Sequence, residues 1–181
     1  QFTIFLNTTA VFSTFRSDKT QLKLDMQLSN EEEEYNLSLS KFESMLKTNK
    51  VLFFDSEEFE NIILHYLDMG KSSLAKKALK LALEQHPKST GLKLVQVEML
   101  VYEDKLDVAE KLLNELYAIE PTNEEIYIQK ASICSKRNQN EKAVELLHIA
   151  LKYTDDLADV YNLIGMEYLF MDNLEKARDS F

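Results

Sequence analysis

From Ser56 onward the apolar residues fall into blocks with helical spacing, and the blocks recur every 34 residues. Phe59, Ile62, Ile63 and Tyr66 stand at i, i+3, i+4 and i+7, which is one face of a helix. Ala75 and Leu79 lie on a second face that ends before Pro87. Ala75, Ala109, Ala143 and Ala177 are 34 residues apart, and Pro87 and Pro121, the chain's only two prolines, keep the same interval. Between the two faces of each period stands Gly70, Asp104, Asn138 or Asp172, residue types that tolerate the left-handed backbone at a helix C-terminus. A period of this length holds two helices of about 12 to 15 residues with their turns, a unit that stacks on copies of itself. The predicted fold class is therefore all-α, an α-solenoid of stacked helix-turn-helix hairpins. Its periods are 56–89, 90–123, 124–157 and 158–181, the last of them truncated.

Helix starts carry their own signals. Asp55-x-x-Glu58 and Thr122-x-x-Glu125 read as capping boxes, in which side chains satisfy the first backbone N–H groups of a helix. Ala131 and Gly165 are small enough to let the two helices of a hairpin approach closely. The second period is the least regular, with Lys93, Gln96 and Val97 at the places of an aromatic, a leucine and a small residue, so its first helix is expected to be rotated or less tightly packed.

These residues resemble the signature of the tetratricopeptide repeat (TPR) family. Phe59, Ile62, Ile63, Tyr66, Ala75, Leu79 and Pro87 stand at its positions, with Phe59 and Ile63 replacing the usual Trp and Gly. Leu100, Ala109, Leu113 and Pro121 follow in the second period, and Tyr127, Ala131, Cys134, Ala143, Leu147 and Ala150 in the third. Tyr161, Ile164, Gly165, Tyr168, Ala177 and Phe181 complete the fourth, so the resemblance covers residues 56–181. It implies a right-handed superhelix whose first helices line a concave groove, and a non-catalytic scaffold or adaptor that binds peptides or helices of partner proteins there. Carried over by the repeat, the groove would present Glu60, Leu64 and Leu67, then Leu94, Glu98 and Val101, then Ile128 and Ser132, then Asn162, Met166 and Leu169. Family members that clamp acidic tails use Lys and Asn at such places. Glu60 and Glu98 stand there instead, so the expected partner is neutral or basic and partly apolar.

Charge agrees with that direction. The net charge of −10 argues against nucleic acid, and the lysines between Lys71 and Lys80 are interrupted by apolar positions, as on a solvated helix face. Glu31 to Glu34 reads as an acidic helix start rather than a metal site. With 45% apolar residues the chain can bury a continuous core, yet no run reaches the ~18 apolar residues of a membrane span. The single cysteine, Cys134, suits a reducing compartment and is read as a small core residue rather than a reactive thiol, which together place the protein in the cytoplasm. The Lys/Glu/Asn-rich composition of a compact array resembles that of bacterial proteins.

Residues 1–25 differ from the remainder. They are rich in Phe and Thr, and without them the chain has 18 basic and 29 acidic residues, a charge of −11. Met26 is read as the natural start and 1–25 as upstream or non-native sequence, the alternative being an edge strand or lipid-facing remnant. Residues 26–55 are read as an N-terminal cap: a helix over Glu32 to Lys47, with Val51 to Phe54 as a hydrophobic connector, packed on the first hairpin. A free partner-binding helix is the alternative. Phe181 falls in the middle of a second helix, so apolar residues such as Leu163, Leu174 and Phe181 are expected to be exposed and to promote self-association.

No catalytic constellation is present in the sequence. His65, His86 and His148 are scattered, no metal-ligand spacing occurs, and neither a Gly-rich phosphate loop nor G-x-S-x-G is found, so no cofactor or metal is expected. Two further readings remain: a regulatory repeat region of a larger enzyme, and an envelope-associated assembly factor.

Overall fold

Asp55 starts the helix Ser56–Asp68 by accepting a hydrogen bond from the Glu58 backbone at 2.8 Å while Glu58 Oε2 accepts one from the Asp55 backbone at 3.0 Å. The predicted capping box is thus formed, satisfying two of the N–H groups a helix start leaves without partners. The computed structural model describes residues 36–48 and 50–181. The segment 1–25, Met26 and the acidic run Glu31 to Glu34 lie outside the described residues.

The described residues divide into two compact units, one ending at Ala75 and the other comprising Lys76–Phe181. In the first unit, α1 (residues 36–48) is followed by α2, Ser56–Asp68. Phe42 of α1 is fully buried, with ring centroids 5.9 Å from Phe54, 6.4 Å from Phe59 and 6.1 Å from Tyr66. Edge and tilted contacts at these separations suit the aromatic quadrupole. Ser38 donates to Glu58 Oε1 at 2.5 Å, so the residue that caps α2 also ties it to α1. Of the hydrophobic connector only Phe54 is buried, whereas Val51 and Phe53 are exposed.

Helix α3, Ser72–Gln85, spans the boundary. The second unit continues with α4 (Thr90–Tyr102), α5 (Leu106–Ile119), α6 (Glu124–Lys136), α7 (Asn140–Ala150), α8 (Leu157–Phe170) and α9 (Leu174–Ser180). Helices α4 and α5, α6 and α7, and α8 and α9 form pairs, and neighbouring pairs meet through α4 and α5 on α6, and α7 on α8. Among the described residues no strand occurs.

The four predicted turn residues all adopt the left-handed conformation, with φ of 67° at Gly70, 59° at Asp104, 57° at Asn138 and 56° at Asp172. Each closes the preceding helix with the same two bonds. At Asp104, its own N–H reaches the Val101 carbonyl at 3.1 Å and the Lys105 N–H reaches Leu100 at 2.8 Å. This double closure satisfies carbonyls that the helix end would otherwise strand. The second capping box does not form. Asn123 rather than Thr122 caps α6, accepting from the Glu125 backbone at 3.1 Å, and the Glu125 carboxylate instead accepts from Gln129 at 2.8 Å. Asn is as good a cap as Thr, and α6 starts one residue later than the box requires.

Two cores lie within this unit. Leu94, Val97 and Val101 of α4 join Ala109, Leu113 and Leu116 of α5 and Ile126 and Ile133 of α6. Tyr127, Ala131 and Cys134 of α6 join Ala143, Val144, Leu147 and Ala150 of α7 and Val160 and Ile164 of α8. Helix α6 therefore buries two stripes, one toward the preceding pair and one toward its own partner α7 and the following α8. Gly165 is small for a packing reason: a Cβ there would lie 2.6 Å from Cε1 of Phe181. Glu120 links successive pairs, accepting from Thr90 at 2.6 Å and from Asn123 at 2.9 Å.

Candidate functional site

What remains of the first helices after packing is the candidate site. On α6, Ile126 and Ile133 face the preceding pair and Tyr127, Ala131 and Cys134 face the pair's own core. The third stripe leaves Ser132 exposed and Ile128 half-buried. On α8, Val160 and Ile164 are taken into the core, and Asn162, Met166 and Leu169 stay exposed. In the first unit, α2 leaves Leu64 exposed and Glu60 and Leu67 half-buried.

Helix α4 departs from the expected pattern. Leu94 and Val101, expected to line a groove, are buried at 7% and 6% exposure, leaving Glu98 as the exposed member of that set. Residues 94, 97 and 101 share one helical stripe. Because Val97 is fully buried against α5 and α6, Leu94 and Val101 are carried into the same core. The third period has Ala131 where the second has Val97, and its equivalents of Leu94 and Val101 are the half-buried Ile128 and Ser135. The sequence irregularity at Val97 was the available signal.

The open faces are acidic beyond Glu60 and Glu98. Burial, followed by repulsion from Glu98 and Glu124, pushes the Glu125 carboxyl above its usual range, against the Gln129 hydrogen bond. Glu125 therefore belongs electrostatically with Glu98 on the neighbouring first helix. Sequence reasoning assigned it to a cap, although residues 125, 128 and 132 share a stripe. Glu60 is likewise raised, by burial first and then by Glu57.

Among the described residues no group of three or more His, Cys, Asp or Glu is placed to hold a metal ion. Cys134 is buried, and burial pushes its thiol up, away from the reactive thiolate. Two surface clefts accompany the helices: about 410 Å³ beside Lys76, Leu79 and Gln96, and about 390 Å³ beside Glu141, Tyr168 and Lys176. Among the described residues, no helix is long and apolar enough to cross a membrane.

With this geometry in place, comparison with known proteins is direct. A tetratricopeptide repeat family model matches residues 100–166, and a second matches residues 158–181. Residues 100–181 are tetratricopeptide repeats. No curated protein matches the chain by sequence. Its fold is similar to that of a TPR protein from Parabacteroides merdae, at 18% identity and a TM-score of 0.67, covering 83% of this chain and 58% of that one. It is also similar to a thermophilic TPR protein of Thermus thermophilus, at 20% identity and a TM-score of 0.66, covering 90% and 87%. MamA from Desulfovibrio magneticus is similar at 16% identity and a TM-score of 0.52, covering 70% and 72%. The all-α TPR fold is that of a protein-interaction scaffold, a class that is typically non-catalytic.

Proposed function

We propose that the open stripes of α6 and α8, beside Glu98 of α4, hold a segment of a partner protein that is neutral or basic and partly apolar. The observation that carries this reading is the set Ser132, Asn162, Met166 and Leu169, left exposed by helices that are otherwise closely packed, with the half-buried Ile128 at the edge of the core beside them. Apolar Ile128, Met166 and Leu169 offer contact area, and Glu98 and Glu125 supply charge that favours a basic segment and repels an acidic one. In the first unit, Glu60, Leu64 and Leu67 present the same mixture on α2. The buried, unreactive Cys134 fits a reducing, cytoplasmic setting.

Site-specific photocrosslinking tests the reading. A crosslinker at Ser132 or Asn162 is expected to capture one defined protein from cell extract, and a crosslinker at the exposed Glu115 of α5 or the exposed Lys152 in the turn after α7 is not. Equal capture from all four positions overturns it. The reading includes self-association through the exposed Leu174. Light scattering of Leu174→Ser against the parent checks this, and the same mass for both removes it.

A further inference from the structure

Among the described residues, Glu167 is the one acidic side chain that the fold buries, at 8% exposure. It lies on α8, one turn after Ile164 and two turns after Val160, both of which sit in the core shared with α6 and α7. Oε2 of the carboxylate has no hydrogen-bond partner among the described residues, and the Ser135 hydroxyl of α6 is near enough to favour the charged form. Ionising a carboxyl in that position is unfavourable, because the charge loses water and gains a single donor.

The charged groups on the neighbouring elements do not relieve this. Lys142 of α7, Arg137 at the end of α6 and Glu110 of α5 bear on Cys134. Lys176 of α9 lies over the Tyr168 ring and shares a cleft with Glu141 of α7. Burial raises the proton affinity of Glu167, the Ser135 hydroxyl opposes it, and among the described residues no cation offsets the burial.

We propose that Glu167 is a proton-operated latch where α8 packs on the α6–α7 hairpin. Uncharged, it lets α8 and α9 close on the α6–α7 hairpin; charged, it draws water into the seam and loosens them. A group whose proton affinity is higher in the folded than in the unfolded state stabilises the fold below the ordinary carboxylate range. That stabilisation is lost as pH rises through the raised value. The latch belongs to the packing of α6 to α9 and stands whether or not the open face holds a partner.

Hydrogen exchange on the full chain between about pH 4 and about pH 8, corrected for intrinsic exchange, tests it. The opening of α8 and α9 amides is expected to rise about tenfold per pH unit across the Glu167 titration, beyond any rise around α4 and α6, where Glu125 is raised as well. Glu167→Gln is expected to abolish the rise. An equal rise in that variant, or none in the parent, overturns the latch. A second measurement needs no variant: carbon NMR of the glutamate carboxyls in the parent. An inflection for Glu167 above those of the exposed glutamates is expected, and one among them overturns the proposal.

Discussion

Arg137 reaches from the end of α6 back to Glu110 on α5, Nη1 to Oε2 at 2.8 Å, while its Nη2 meets Asp107 at 2.7 Å. This bidentate span joins one helical pair to the next at the surface, where ions screen it. Arg137→Ala is expected to lower the thermal midpoint at low salt, and the difference is expected to shrink as salt is raised to about 1 M. A midpoint difference independent of salt would show that Arg137 acts by packing.

Ala143 is fully buried where α7 meets α6 and α8. Adding three carbons there displaces neighbours that already fill the space, so Ala143→Leu is expected to cost about 1 to 3 kcal/mol. Calorimetry beside the exposed control Lys136→Leu checks this, and equal midpoints would refute the close contact.

The left-handed turn at Asp104 gives a prediction of opposite signs. Glycine adopts this backbone without a Cβ penalty, so Asp104→Gly is expected to hold or raise stability by up to about 1 kcal/mol. Asp104→Val is expected to lower it by about 1 to 2 kcal/mol. Urea denaturation of both variants decides, and a valine variant as stable as the parent would contradict the turn.

Leu94 separates core from surface. Because it packs with Val97, Leu113 and Ile126, Leu94→Ala is expected to cost about 2 to 5 kcal/mol. Chemical denaturation showing a loss within the range of surface changes would return Leu94 to the open face.

The charge of the open face predicts a preference between ligands. A basic amphipathic peptide is expected to bind more tightly than an acidic C-terminal peptide, and Glu98→Lys to weaken the basic one about tenfold. Calorimetric titration of both peptides checks this; tighter binding of the acidic peptide would sink the assignment of partner charge.

The helical pairs, their order and their turns were legible in the sequence because each depends on a local pattern. A left-handed residue must be one that tolerates a positive φ, so Gly70, Asp104, Asn138 and Asp172 marked the turns, and all four adopt that backbone. The small positions Ala109 and Ala143 are fully buried for an equally local reason, since their spacing places them on the packing face.

The open face was legible only in part. Ser132, Asn162, Met166 and Leu169 are exposed as the repeat implied, whereas Leu94 and Val101 are buried, and Glu125 and Glu167 were not singled out for the roles their surroundings give them. Periodicity states which residues share a stripe, but a first helix in a stack buries one stripe toward its partner and another toward the preceding pair. Which residues the second stripe claims depends on side-chain volumes across the contact, here Val97 against α5 and α6. Whether a carboxyl meets water, a neighbouring carboxylate or a serine hydroxyl depends on residues distant along the chain. The sequence by itself therefore determined the repeat, its hairpins and its turns. Tertiary packing decided the burial of Leu94 and Val101, the proximity of Glu125 to Glu98 and the burial of Glu167, because each arises from contact between helices that no single period contains.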